Sequence, residues 1–357
     1  MENSIAAQNK IDIYSMLPEE LLEYFASLGE PKFRAKQVFP RLSTGCRIDD
    51  LTNLSKPLRQ RLKDEILDTL PTVQQKLVSK IDGTVKYLFR LYDGSCIESV
   101  LMKYKHGNTL CISSQVGCYM GCKFCASTIG GKVRDLLPSE LLGQVSVASI
   151  DSGERVSNIV MMGIGEPLDN FDNVIKFLKL VNHPDGLNIG YRHISLSTCG
   201  VVPGIYKLAR VDIPITLSIS LHASSDEKRT AIMPVNKKWP ISELLTACVD
   251  YYKVTGRRIS FEYTLISGKN DSEADALELS GLLSAAFRGT GAPIHVNLIR
   301  VNEVSETGFR RGSVESVNSF AKVLESRGIT ATVRRRLGSD VNAACGQLRR
   351  SAMKSEG

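Results

Sequence analysis

Thr109-Leu-Cys111-Ile-Ser-Ser-Gln-Val-Gly117-Cys118-Tyr-Met-Gly121-Cys122-Lys-Phe-Cys125 is the stretch on which the fold turns. It opens with an apolar, β-rich run over Thr109–Ser113 and passes into a loop that carries three thiols and two glycines. Comparable runs recur downstream at Asn158–Met162, His193–Leu196, Thr216–Leu221, Arg258–Ile266 and Ile294–Val301. Helical periodicity occupies Ser139–Ile150, Phe171–Val181, Ile241–Val254 and Ser313–Arg327 between or after them. Repeated β-α units predict an α/β fold, a parallel sheet with helices outside, either open or curved toward a barrel. The residues that look chemical follow the strands: the cysteines, Gly165-Glu166, Ser197 and His222. Ligands in parallel α/β folds bind at those strand ends.

Upstream the pattern differs. Pro18–Leu28, Lys32–Leu42 and Lys56–Leu67 read as helices, and Val73–Ile81, Thr84–Leu91 and Cys96–Tyr104 as extended segments. The turns Asp82-Gly83 and Asp93-Gly94 separate those segments, a hairpin signal because glycine adopts the positive φ that tight turns require. Residues 1–104 are therefore expected to form a small helical and β-hairpin accessory domain, and residues 105–357 the catalytic one.

The chain has 357 residues, 43% of them apolar, which suffices for a large domain and a small one. No apolar run approaches the roughly 20 residues of a membrane helix, and the N-terminus lacks the basic start and apolar stretch of a signal peptide. With nine cysteines in no dense framework, a reducing cytoplasm is expected. The net charge of +7 is uneven. Between Pro31 and Asp64 stand nine basic residues (Lys32, Arg34, Lys36, Arg41, Arg47, Lys56, Arg59, Arg61, Lys63) against three acidic ones. A second basic group, Arg334-Arg335-Arg336 with Arg349-Arg350, lies near the C-terminus. Solvated helix faces would explain either cluster alone. Two clusters flanking a metal-type motif favour RNA, docked on the accessory domain.

Cys118, Cys122 and Cys125 follow a Cys-x₃-Cys-x₂-Cys spacing that can wrap three irons of a [4Fe–4S] cubane. Ordinary clusters take four thiolates. Three leave one iron open to chelate the amino and carboxylate groups of S-adenosylmethionine (SAM), whose sulfonium bond breaks on electron transfer to give a 5′-deoxyadenosyl radical. Gly117 and Gly121 are expected to let the backbone fold closely around the inorganic ligand. The competing reading is a structural zinc site completed by His222 or Cys111, within a non-catalytic RNA-binding module.

Cys111-Ile-Ser-Ser-Gln-Val-Gly-Cys118 and Gly121-Cys122-Lys-Phe-Cys125-Ala-Ser-Thr closely resemble the RlmN/Cfr family of radical SAM adenosine methyltransferases. The resemblance continues through Met162-Gly-Ile-Gly-Glu-Pro167, Leu196-Ser-Thr-Cys-Gly200, Ser220-Leu-His222 and Asn342-Ala-Ala-Cys-Gly-Gln-Leu348. Pro167 after Glu166 is similar to the RlmN branch, since the Cfr branch tends to carry alanine there. The resemblance implies a partial (β/α)₆ barrel and methylation at C2 of adenosine, in the peptidyl-transferase region of 23S rRNA and in the anticodon loop of tRNAs. The alternative within the family is C8 methylation of the same rRNA base, with antibiotic resistance. By resemblance SAM is contacted by Gly165, Glu166, Ser197, Ser220, Leu221, His222 and Asn302. Glu303 follows Asn302 where the family usually has proline. A monomer served by a flavodoxin or ferredoxin electron donor is expected.

Adenine C2 is electrophilic, so it cannot attack the SAM methyl group directly, and the chemistry needs a carrier. The resemblance assigns that role to Cys345, which takes a methyl by displacement. It assigns Cys111 the release of the RNA adduct through a disulfide with Cys345, and Glu98 the removal of the C2 proton. From its position alone, Glu98 reads as an exposed hairpin glutamate.

Overall fold

A computed structural model describes residues 10–301, 308–341 and Leu348. Three helices open it: α1 (Pro18–Ser27), α2 (Phe33–Ser43) and α3 (Lys56–Glu65). The first starts where sequence reading put it, with Pro18 in the first turn and the Glu20 carboxylate accepting the Leu17 N–H at 2.7 Å. Ser55 caps α3 by accepting the Leu58 N–H. The strands β1 (Thr72–Val78), β2 (Val85–Arg90), β3 (Cys96–Tyr104) and β4 (Gly107–Cys111) then form an antiparallel meander. Gly83 and Gly94, at φ 70° and 84°, make two of its turns.

A short hairpin, β5 (Gln115–Gly117) with β6 (Lys132–Asp135), brackets the cysteine loop. The α/β alternation follows: α4 (Pro138–Ser152), β7 (Val156–Met161), α5 (Phe171–Asn182), β8 (Ile194–Thr198), α6 (Val202–Ala209), β9 (Thr216–Ser220), α7 (Asp226–Ile232), α8 (Ile241–Thr255), β10 (Ile259–Leu265), α9 (Glu273–Ala286), β11 (His295–Arg300), α10 (Val314–Ser326) and β12 (Thr330–Val333). The ten strands outside the short hairpin form one sheet, ordered β1-β2-β3-β4-β7-β8-β9-β10-β11-β12. Pairing is parallel from β4 onward, so β4 closes the meander on one side and opens the parallel run on the other.

Alternation along each strand divides the sheet into two faces. Outward-pointing Phe89, Leu101, Leu110, Ile159, Leu196, Leu217, Phe261 and Leu298 belong to one apolar core that also takes in Leu21, Phe25 and Val38 of the N-terminal helices. The other face is polar over the parallel strands. Ser195 meets Ser218 at 3.1 Å, and Asn297 donates to the Glu262 carboxylate at 2.7 Å. Glu262 is buried, and burial pushes its pKa up. The site lies at the strand ends of this polar face.

Candidate active site

The cysteine loop hangs from the β5–β6 hairpin. The Cys118 N–H donates to the Gly131 carbonyl at 3.1 Å, and the Cys125 N–H to the Cys122 carbonyl at 3.0 Å. Thr128 Oγ1 donates to the carbonyls of both Cys122 and Cys125, at 3.3 and 2.9 Å. Gly117 has a different reason from the one its sequence suggested. A Cβ there would stand 1.9 Å from the Gly131 carbonyl oxygen, so it is the crossing of the two hairpin strands that requires glycine. Burial, with the charge of Cys125 adding, pushes the Cys118 thiol up to about 12. A thiol so placed ionises when a metal supplies the compensating positive charge.

Among the described residues no three His, Cys, Asp or Glu side chains gather as ligands of a single metal ion. Three soft sulfur donors on one short loop suit three corners of a cubane, with the fourth iron left for another ligand.

Strand ends bring the other predicted residues to this loop. After β7, Gly165 takes φ 106°, and a Cβ on it would lie 2.6 Å from Gln115 Cβ. Glu166 is buried, with its pKa raised by burial against the pull of its hydrogen bonds. Its two oxygens accept the Leu168 N–H at 3.0 Å and the Cys199 N–H at 2.7 Å, which latches the end of β7 to the end of β8. Side-chain hydrogen bonds from Cys199 and Thr198 add to these. Ser197 and Ser220 hydroxyls stand 3.4 Å apart. Leu221 is fully buried, and its N–H and that of His222 converge on the Glu262 carbonyl. His222 adopts φ 58°, unusual for a residue with a Cβ, and packs edge-on against Phe124 with ring centroids 5.1 Å apart. Its Nδ1 accepts the Thr264 N–H at 3.0 Å.

Glu98 is 2% exposed, which overturns the exposed-glutamate reading. It pairs with Lys86 at 3.1 Å, and Lys86 is as deeply buried. Strand register explains both. Cys111 lies opposite Val100, two residues along β3 from Glu98, so Glu98 and Cys111 project from one face. Leu337 packs against the small apolar cluster formed by Val100, Met102 and Cys111 on that face. Three residues later Asp340 is moored to the β1–β2 turn, accepting Ser79 Oγ at 2.6 Å and the Lys80 N–H at 2.9 Å. The Gly338 N–H also donates to Asp82 at 2.8 Å. Asn302 and Cys345, with any bond Cys345 makes, lie outside the described residues.

The basic segment is less uniformly available than its composition suggested. Arg34, Arg47, Arg61 and Lys63 pair with Glu30, Asp68, Glu65 and Asp49. Lys32, Lys36 and Lys56 are exposed. Arg335 and Arg336 are exposed as well, while Arg349 and Arg350 lie outside the described residues.

Sequence reasoning passed over three supporting residues. Gln115 accepts the Glu166 N–H and donates to Asp135 and Asp169, tying hairpin to strand end. Lys86 was within reach of the sequence, since the Asp93-Gly94 turn fixes a register that sets β2 lysine diagonal to Glu98. Arg229 gave no local signal, for it follows Asp226-Glu227-Lys228 and reads as part of a solvated helix.

Two family models match the chain: the Radical SAM superfamily over residues 112–280, and the ribosomal RNA large subunit methyltransferase N-terminal domain over residues 11–67. A probable dual-specificity RNA methyltransferase RlmN of Alkaliphilus metalliredigens is 52% identical over 343 residues, 96% of each chain. One from Clostridium botulinum is 52% identical over 339 residues, 95% of this chain and 96% of the other. The crystal structure of a radical SAM methyltransferase from Sphaerobacter thermophilus superposes with a TM-score of 0.89 at 41% identity, covering 94% of this chain and 98% of that one. Among the described residues no helix is long and apolar enough to cross a membrane. A cysteine loop fit for a [4Fe–4S] cluster, strand ends arranged for SAM, and likeness along nearly the whole chain lead to one assignment: the protein belongs to the RlmN family of radical SAM RNA methyltransferases.

Proposed function

We propose that this enzyme methylates C2 of an adenosine in 23S rRNA and in the anticodon loop of tRNAs, with Cys345 as methyl carrier. One observation carries the reading. Glu98 and Cys111 share one face of the sheet, and the segment leading to Cys345 reaches that face at Leu337, eight residues before it. Cys118, Cys122 and Cys125 would hold the cluster. Gly165, Glu166, Ser197, Ser220, Leu221, His222 and Asn302 would contact SAM. When bound, the cluster and SAM would supply the one-electron chemistry that activates the methyl group on Cys345. The chain's own residues do the rest. Cys345 carries the carbon to the base, Glu98 accepts the C2 proton, and Cys111 attacks the Cys345 sulfur, so that a disulfide forms as the C–S bond breaks and the released carbon takes up a proton to become the methyl group. The enzyme works as a monomer in the cytoplasm and draws its electrons from a flavodoxin or ferredoxin.

SAM with a fully deuterated methyl group tests the carrier. Over several turnovers the product methyl should keep two deuteriums and gain one hydrogen, with the third deuterium in 5′-deoxyadenosine. A product holding three deuteriums would overturn the carrier role of Cys345. Mass spectrometry of the digested rRNA, resolving C2- from C8-methyladenosine, tests the position.

A further inference from the structure

Among the described residues, Arg229 is the bulkiest of the fully buried side chains, with 0% exposure. Its guanidinium donates only to neutral acceptors: Nε to the Leu221 carbonyl at 3.1 Å, Nη1 to Asn236 Oδ1 at 2.9 Å, and Nη2 to the carbonyls of Cys199 and Ser220 at 2.6 and 3.2 Å. No ion pair between Arg229 and a carboxylate is present among the described residues. Asp226 is reached only at second hand, through Asn236 Nδ2. A buried cation without a counter-charge is costly, and proteins keep one where something anionic offsets it.

The helix that carries Arg229 leads to the cysteine loop. Its last residue, Ile232, accepts the Lys123 N–H at 2.9 Å, and Ile232 and Met233 share one apolar cluster with Cys122 and Cys199. Three thiolates around a cubane carry net negative charge, and reduction adds one more electron to it.

We infer that Arg229 is the fixed internal counter-cation of the cluster, a positioning residue that binds the ends of β8 and β9 and eases one-electron reduction by its charge. The inference rests on Cys118, Cys122 and Cys125 holding the cluster. Iron and sulfide content of the reconstituted wild-type protein tests that assignment separately.

The experiment compares wild type with Arg229→Lys, Arg229→Gln and Arg229→Met after anaerobic reconstitution, with dithionite as reductant and the spectrum of the reduced cluster as readout. Loss of the charge in the Gln and Met variants should weaken the reduction equilibrium about tenfold, which is 59 mV for a one-electron couple. Arg229→Lys keeps the charge but not the four-way fan, so its potential should stay near wild type while its melting temperature falls. Linkage supplies a second reading, because the rise in melting temperature on loading the cluster should be smaller in the neutral variants than in wild type. Equal potentials and equal rises across all four proteins would overturn the inference. So would neutral variants that fail to fold even without the cluster, since the residue would then serve the fold alone.

Discussion

His222 shows how one backbone position governs a titration. With φ 58°, its ring turns inward, Nδ1 accepts the Thr264 N–H, and the proton is left on Nε2. Burial, with the charge of Arg229 added, pushes its pKa down from 6.5 to about 3. The unfolded chain therefore binds a proton between those values that the folded chain refuses. Stability from the neutral imidazole is complete above pH 6.5 and drains away as pH falls toward 3, by roughly 1.4 kcal/mol per pH unit. In urea unfolding of the cluster-free protein, wild type should lose roughly 2 kcal/mol more than His222→Asn between about pH 6.5 and pH 5. Parallel losses in the two proteins would show that the imidazole is not held neutral. The strained φ was not legible in the sequence, which marks such positions with glycine when it marks them at all.

Elements explain what was readable and what was not. The meander announced itself through Asp82-Gly83 and Asp93-Gly94, and the parallel run through long apolar strands. The β5–β6 hairpin stayed hidden because its strands are short, lack alternation and pair across the whole cysteine loop. Likewise α7 is too brief for a period to show, and β12 comprises only Thr330–Val333. The cysteine loop was legible because its spacing stands in the sequence itself. Glu98 was not, because a local hairpin pattern does not show that it and Lys86 are buried together as a pair. For RNA docking, the element to test is the face of α2 and α3. Lys32 precedes α2, Lys36 lies within it, and Lys56 opens α3, all exposed, whereas Arg34, Arg47 and Arg61 are held by carboxylates. Replacing Lys32, Lys36 and Lys56 with alanine should flatten the salt dependence of rRNA binding, by about one unit of slope for each phosphate left without its cation. SAM cleavage without RNA should not change. An unaltered slope would move the docking surface to Arg335 and Arg336.

At the scale of the molecule, the accessory strands and the parallel strands form one sheet over one apolar core. Removing residues 1–104 would strip β3 from β4, expose an edge from Gly107 to Cys111, and uncover the face where Leu21 and Phe25 join the core. An exposed apolar edge is an invitation to pair with other chains. The fragment 105–357 is therefore expected to aggregate, or to unfold at a much lower temperature than the full chain. Light scattering and calorimetry check this, and a monomeric fragment melting like the full protein would contradict it.

The mooring of Asp340 on the β1–β2 turn has a consequence for the proposed carrier thiol. Cys345 follows Asp340 by five residues. At most about 3.5 Å of chain per residue confines that cysteine to a sphere of roughly 18 Å radius, whatever path the backbone takes. One molecule in such a volume corresponds to a concentration on the order of 0.1 M. A second thiol on the same chain would meet it at that concentration and not by diffusion from solution. The β1–β2 turn that sets this limit lies far along the chain from Cys345.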